Sequence, residues 1–219
     1  RELERTIGTL CRKAAKKIVD GDCKKVTFTA ETLKDYLGIQ KFRPDEQIHE
    51  DTVGVVNGLA WTSVGGVLMP MEVLVMPGKG AVEYTGSLGD VMRESAKIAV
   101  SYTRSVAKKY DIPEDFYTKC DLHIHAPEGA VPKDGPSAGV TMTTALISAL
   151  SGRPVRGDVA MTGEITLHGK VLPIGGLPEK AMAAYKAGLK TVIIPKRNEP
   201  DLEDVDETVR NGLEFVTAE

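Results

Sequence analysis

Residues 131–150 read VPKDGPSAGVTMTTALISAL. No charged side chain occurs from 138 to 151, so a helix here has no solvent face and must be enclosed by other elements. Proline suits a first helical position, where its missing N–H would have been an orphan. Gly135 is then the cap residue, Asp134 lies just outside, and Ser137 occupies the second position. A hydroxyl placed there faces converging N–H groups and the positive end of the helix dipole, a setting that stabilises an anion. The oxyanion formed when serine attacks an amide fits that description, with the Ser137 N–H as one donor. Pro136 cannot donate, so the second donor must be Gly135, Asp134 or a group elsewhere. On this stretch alone, nucleophile and helix-start serine both stand.

Outward from that helix, residues 120–125 (CDLHIH) read as a strand entering it. Upstream, GVVNGLAW, VGGVLMPMEVLVMPG and AVEYTG are β-branched, glycine-punctuated strand candidates. A long helix is predicted over 88–110, with Val91, Ser95, Ile98, Tyr102 and Val106 on one stripe. Downstream come strands at VAMTG and ITLHG, a helix over 178–187 stopped by Gly188, and a buried strand TVIIP. A helix over LEDVDETVRNG and a last strand LEFVTA complete the chain. Early strands followed by strand–helix alternation indicate a mixed α/β or α+β domain. The first forty residues differ. Ile7, Leu10, Cys11, Ala14 and Ile18 follow helical spacing up to Gly21, KKVTF is extended, and Thr29 caps a helix ending at Gly38. That segment is too small for a core of its own and reads as the trailing piece of a helical domain. The charged stretch 40–50 marks the boundary, so the expected units are 1–41 and 42–219.

The 219 residues are 42% apolar and 27% charged with a net charge of −3, so nothing draws the chain as a whole to nucleic acid or anionic lipid. There is no run of eighteen apolar residues and no apolar leader; the expectation is a protein outside the membrane. The missing initiator methionine suggests a fragment. Three scattered cysteines without a CxxC suit a reduced, cytoplasmic compartment. A GxxxxGK[ST] loop is absent, which excludes ATP hydrolysis by that route.

A serine nucleophile needs a base. Of four histidines, His49 lies in the charged boundary and His168 in a hairpin turn, LHGK. His123 and His125 share one face of a strand with Cys120 on the other, and read as packed, hydrogen-bonded rings before site lining or metal binding. A Ser–His–Asp triad stays open. Lys180 is the sharper candidate. In GGLPEKAMAA, residues 175–184, proline again marks a helix start and puts Lys180 in the first turn, where the dipole disfavours a cation. A lysine base at neutral pH must fall about three units from its reference near 10.4, roughly 4 kcal/mol. The helix end supplies about 0.3–1 kcal/mol of this, so desolvation must supply the rest. Serine with a neutralised lysine is a known hydrolytic pair.

PKDGPSAG, followed some forty residues later by GDVAMTGEITLHGKVLPIGGLPEK, resembles the proteolytic domain of the Lon family of ATP-dependent proteases. GLAWTSVGG, PGKG and YTGSLGDVMRESA are similar to that family too, and the form Asp-Gly-Pro-Ser is like its soluble A-type. The resemblance implies a fold like the second domain of ribosomal protein S5, assembled into a ring of six. It implies a catalytic dyad of Ser137 and Lys180 with Thr162 beside the lysine. Asp134, Glu72, His123 and His125 are implied to line or regulate the site, and Trp61 to belong to the substrate groove. It also implies unfolded or damaged proteins as substrates, and ATP with Mg bound by an ATPase outside this chain, with no cofactor or metal in the chain itself. Residues 1–41 resemble the end of the AAA+ small helical domain. Pro178 departs from the charged residue common in relatives. Two rival readings are a phosphate-binding, phosphoryl-transfer domain of the same broad fold and a non-catalytic Lon-like interaction module; the joint presence of Ser137 and Lys180 counts against the second.

Overall fold

The computed structural model describes residues 2–39, 50–62, 65–127, 129 and 131–219. The chain divides into two compact units, Arg1–Asp45 and Glu46–Glu219. The expected boundary at 41/42 and His49 fall outside the described residues.

The first unit contains helix α1 (Glu2–Val19) and a short helix α2 (Leu33–Leu37). Thr29 is not the cap of α2, contrary to expectation. Its carbonyl accepts from the N–H groups of Thr32 and Leu33, forming a preceding turn, and Thr32 takes the cap position. Residues 24–28 form no strand.

The second unit is built on a seven-stranded sheet. In chain order its elements are β1 (Val55–Thr62), β2 (Gly65–Pro77), β3 (Val82–Thr85), α3 (Asp90–Val106), α4 (Phe116–Lys119), β4 (Cys120–His125) and α5 (Gly139–Ser151). There follow β5 (Val159–Met161), β6 (Glu164–Ile165), β7 (Val171–Leu172), α6 (Leu177–Lys186), β8 (Thr191–Pro195), α7 (Glu207–Gly212) and β9 (Glu214–Ala218). The strand order is β3-β4-β2-β1-β5-β8-β9, with β6 and β7 paired separately. β2 is antiparallel to both its neighbours, and all other pairings in the large sheet are parallel. The mixed α/β architecture expected from the sequence is what forms.

Alternation along the strands assigns two faces. Val56, Met69, Met71, Val73, Leu122, Ile124, Val159 and Met161 point to one face, where α3 and α5 cover them. Leu59 and Ala160 point to the other, where they join Leu177, Ala181 and Ala184 of α6 and Val209 of α7. The uncharged helix α5 is enclosed as its composition required, with Met142, Ala145 and Leu146 fully buried. α6 comes close to the sheet because Gly66 has no side chain: a Cβ there would run into the backbone carbonyl of Glu179 and the methyl of Ala183.

Several boundaries differ from expectation. The inward stripe of α3 is Met92, Ser95, Ala96, Ala99 and Thr103, while Val91 is exposed; the small side chains of Ala96 and Ala99 allow close packing against α5. The long helix also tightens into a 3₁₀ turn at Ala107–Tyr110. ITLHG is not a strand beyond Ile165, because Thr166 turns the chain by pairing with Lys170 and forms the β6–β7 hairpin. Residues 202–212 are not one helix. Val205 is extended and Asp206 restarts the chain as α7, its carboxylate accepting from the N–H groups of Thr208 and Val209.

Candidate active site

The carboxyl end of β5 is where helices from both faces of the sheet meet. Thr162 follows directly on β5, and its N–H is held by the carbonyl of Ile193 in β8. From one face comes residue 137, from the other residue 180. Ser137 is not on the α-helix itself but on a 3₁₀ turn, Pro136–Ala138, which leads into α5. Proline opens that turn and Gly135 caps it, with φ at 130°, a conformation that an L side chain would oppose. The turn is pinned on two sides. The Ser137 carbonyl accepts from the Gly163 N–H at 2.8 Å, and the Ser95 hydroxyl of α3 donates to the Pro136 carbonyl at 3.3 Å.

Lys180 is in the first turn of α6, its N–H bonded to the carbonyl of Gly176. Only 1% of its surface is exposed, and among the described residues it is the largest fully buried side chain. Its Nζ lies 3.1 Å from Ser137 Oγ and 3.0 Å from Thr162 Oγ1. Burial lowers its ammonium from an ordinary 10.5 to about 8; the helix start acts in the same direction. Thr162 is equally buried, and its hydroxyl donates to the Ser137 carbonyl over a long 3.4 Å. With its single proton turned that way, the hydroxyl meets the lysine as an acceptor and holds one N–H. An uncharged amine so held has its lone pair free for the serine. The amine, two hydroxyls and the Ser137 turn thus form one connected group that can withdraw a proton from Ser137.

The other residues singled out from the sequence fall in three places. Asp134 faces α3: its Oδ1 accepts from the Met92 N–H at 3.0 Å and from the Gly135 N–H at 2.9 Å. This caps α3 from a distant loop and occupies the Gly135 N–H, which is therefore not a free oxyanion donor. Trp61, near the end of β1 and 55% exposed, lies against Gly176 at the entry to α6. Glu72, His123 and His125 lie elsewhere, on the half of the second face that no helix among the described residues covers. There they line a groove of about 540 Å³ with Val53, Val55, Val73, Leu74 and Thr85. Neither Ser137 nor Lys180 lines it. The Thr85 hydroxyl sits 2.8 Å from His123 Nε2 and 2.7 Å from His125 Nδ1. One hydroxyl proton serves only one ring, so the other ring must present an N–H to it. Among the described residues no group of three or more His, Cys, Asp or Glu side chains could hold a metal ion, and no helix is long and apolar enough to cross a membrane.

Reading the sequence missed Ser95 and Gly66. Ser95 was placed on an inward stripe but without a role, and nothing local marks its reach to Pro136. Gly66 could have been suspected as a glycine inside a strand, a sign of close backbone approach.

The family model of the Lon protease (S16) C-terminal proteolytic domain matches residues 27–219. Curated relatives include Lon protease 1 of Bacillus subtilis, 58% identical over 100% of this chain and 28% of that protein. Lon protease of Geobacter metallireducens is 53% identical over 100% of the chain and 26% of its own length. Lon protease of Vibrio parahaemolyticus is 56% identical over 99% of the chain and 28% of its own length. The chain therefore spans little more than a quarter of the relatives it matches. With its sequence matched almost throughout, the chain belongs to the Lon protease C-terminal proteolytic domain family and is a serine peptidase domain.

Proposed function

We propose that this chain is the peptide-hydrolysing part of a larger serine endopeptidase, with Ser137 as nucleophile and Lys180 as general base. The observation that carries the reading is the dry amine of Lys180 within hydrogen-bonding reach of both Ser137 and Thr162. Neutral Lys180 accepts the hydroxyl proton as Ser137 Oγ attacks the peptide carbonyl carbon. The tetrahedral intermediate collapses, its C–N bond breaks, and the Lys180 ammonium returns the proton to the departing amine. Lys180 then takes a proton from water as its oxygen attacks the ester, and protonates Ser137 Oγ as the acid product leaves. Thr162 orients the amine throughout. The Ser137 N–H, at the opening of a helical turn, is one oxyanion donor.

Asp134 and Gly135 support the nucleophile by fixing the loop before it to the start of α3. Trp61 borders the groove for substrate. β1 pairs with β5 only at Asn57 and Gly58, which supports residues 59–62 as an edge against which an extended, unfolded chain can lie by backbone pairing. Glu72, His123 and His125 are a second supporting cluster on the open half of the sheet. In the whole protein, residues 1–41 would be the end of an AAA+ small helical domain. An upstream ATPase would bind ATP and Mg and feed unfolded or damaged proteins to a cytoplasmic ring of six. No observation favours phosphoryl transfer or a non-catalytic module.

A fluorophosphonate probe followed by mass mapping tests the assignment. Label is expected on Ser137, with Lys180→Gln slowing it at least a hundredfold in a folded chain. Modification at other serines only, or full labelling in the lysine variant, would refute it.

A further inference from the structure

Asn198 is 2% exposed and belongs to no part of the chemistry above. It follows β8 on a short 3₁₀ turn, Lys196–Asn198. Both ends of its amide are bonded. Oδ1 accepts from the Ile174 N–H at 2.9 Å, and Nδ2 donates to the Ile174 carbonyl at 2.9 Å and to Asp201 Oδ2 at 2.6 Å. The carboxylate only accepts, so it fixes which end of the amide is the NH₂. One side chain therefore satisfies both polar groups of a loop residue, as a neighbouring strand would.

The place of that loop gives the clamp its meaning. After Ile174 come Gly175 and Gly176, then α6 with Lys180 in its first turn. Gly175 and Gly176 have no side chains to anchor them, so the doubly bonded backbone of Ile174, only two residues away, sets where the helix that carries the amine begins. The same stretch of chain also braces the amine's other partner: Ile193 of β8 accepts from the Thr162 N–H, five residues before Asn198. Residues 193–198 thus hold Thr162 on one side and the approach to α6 on the other.

We propose that Asn198 is a positioning residue for the Ser137–Lys180 pair, acting through the backbone of Ile174 with Asp201 setting its amide. It touches neither substrate nor the reacting atoms. Its effect is to keep the start of α6 seated, so that the amine stays dry and in reach of Ser137. Asn198→Ala leaves the Ile174 groups to water and loosens the two-glycine link, which admits solvent to Lys180.

The inference rests on the dyad reading, and the test separates the two. The rate of fluorophosphonate labelling at Ser137 is followed against pH in the whole 219-residue chain, with folding checked by circular dichroism. In the wild type the rate rises with pH around a midpoint near 8, the value of buried Lys180. Asn198→Ala is expected to slow labelling at pH 7.5 at least tenfold and to move the midpoint up by about one unit or more. A purely structural role would lower the melting temperature without moving the midpoint. If Asn198→Ala does not fold, Asp201→Ala decides by the same midpoint: an upward shift supports the clamp and an unchanged one overturns it. An unmoved rate and midpoint in folded Asn198→Ala overturns the clamp while leaving the dyad intact. A wild type with no labelling at Ser137, or with no dependence on Lys180, overturns the dyad and the clamp with it.

Discussion

The second face of the sheet has two halves that differ in one respect. Across β1, β5 and β8 it is covered by α6 and α7, and the charged side chain beneath, Lys180, is dry and held well below its ordinary range. Across β3, β4 and the later part of β2 no described helix covers it, and Glu72, His123 and His125 line a groove there in contact with solvent, with the Glu83 carboxylate 3.7 Å from His123 beside it. Both halves carry titratable side chains beside threonine hydroxyls. Cover makes the difference: removing water from an ammonium favours the free amine, whereas exposed groups keep their hydration. A helix laid on half a sheet can thus turn an ordinary residue type into a base.

The widest separation between the halves is expected from Lys180→Met. Hydrolysis of an unfolded protein should fall by at least about a thousandfold, as for loss of any group that acts in concert with a nucleophile. Stability should move the other way. Holding an ammonium in that site at pH 7 costs about 3 kcal/mol by the shift from 10.5 to about 8. The two hydroxyls left without a partner take back about 1 kcal/mol each. The variant should melt no lower than the wild type at pH 7. A drop of more than about 5 °C would show that the lysine holds the fold together rather than straining it.

Gly66→Ala attacks the cover instead of the amine. The added methyl must displace the backbone of Glu179, next to Lys180, and over-packing of this kind costs about 1–3 kcal/mol. Labelling of Ser137 should slow at least tenfold, with the ring NMR resonances of His123 and His125 unchanged at fixed pH. If those resonances move as the labelling rate falls, the halves are not independent.

How much of this was legible beforehand follows from the range of the forces involved. The uncharged run after Ser137 had to be a buried helix, and proline with glycine before it fixed where the turn begins; both are local. The sequence also marked Lys180 as a base that needed drying. It could not show what dries it, because Gly66 and α6 meet only in the folded sheet, more than a hundred residues apart. His123 and His125 were rightly placed on one strand face, yet nothing along the strand says that this half of the face stays open. Ser95 and Asn198 act on carbonyls far along the chain, and a single polar side chain carries no signal of a distant partner.

Acidity offers a finer probe of the covered half. A base near 8 is about one-tenth neutral at pH 7, so kcat/KM should climb with pH and level off above about 9. A midpoint near 10 would mean a hydrated amine. Stability carries the same signature. Between the folded value of about 8 and the unfolded value near 10.4 the unfolded chain binds more protons, so folding gains with rising pH in that window. The stability of Lys180→Met relative to the wild type should therefore fall by about 3 kcal/mol from pH 8 to 10.4, turning from no lower to lower, and stay constant below pH 8. Other titrating groups cancel in that difference.

The smallest effect is expected from the open half, and it tests whether exposure insulates the two halves. Thr85→Val keeps the shape of the side chain but removes the hydroxyl between His123 and His125. Each ring nitrogen can turn to water, since the His123 side chain is 30% exposed, so the fold should lose only about 0.5–1.5 kcal/mol. Hydrolysis should change less than about threefold. The reason is geometric: the groove and the Ser137–Lys180 pair share no lining side chain. A tenfold fall in kcat at unchanged KM would instead mean that β4, which runs from this groove toward the Ser137 loop, transmits the state of its histidines to the nucleophile. Cover alone would then no longer account for the lysine, and the supporting cluster would belong to the chemistry.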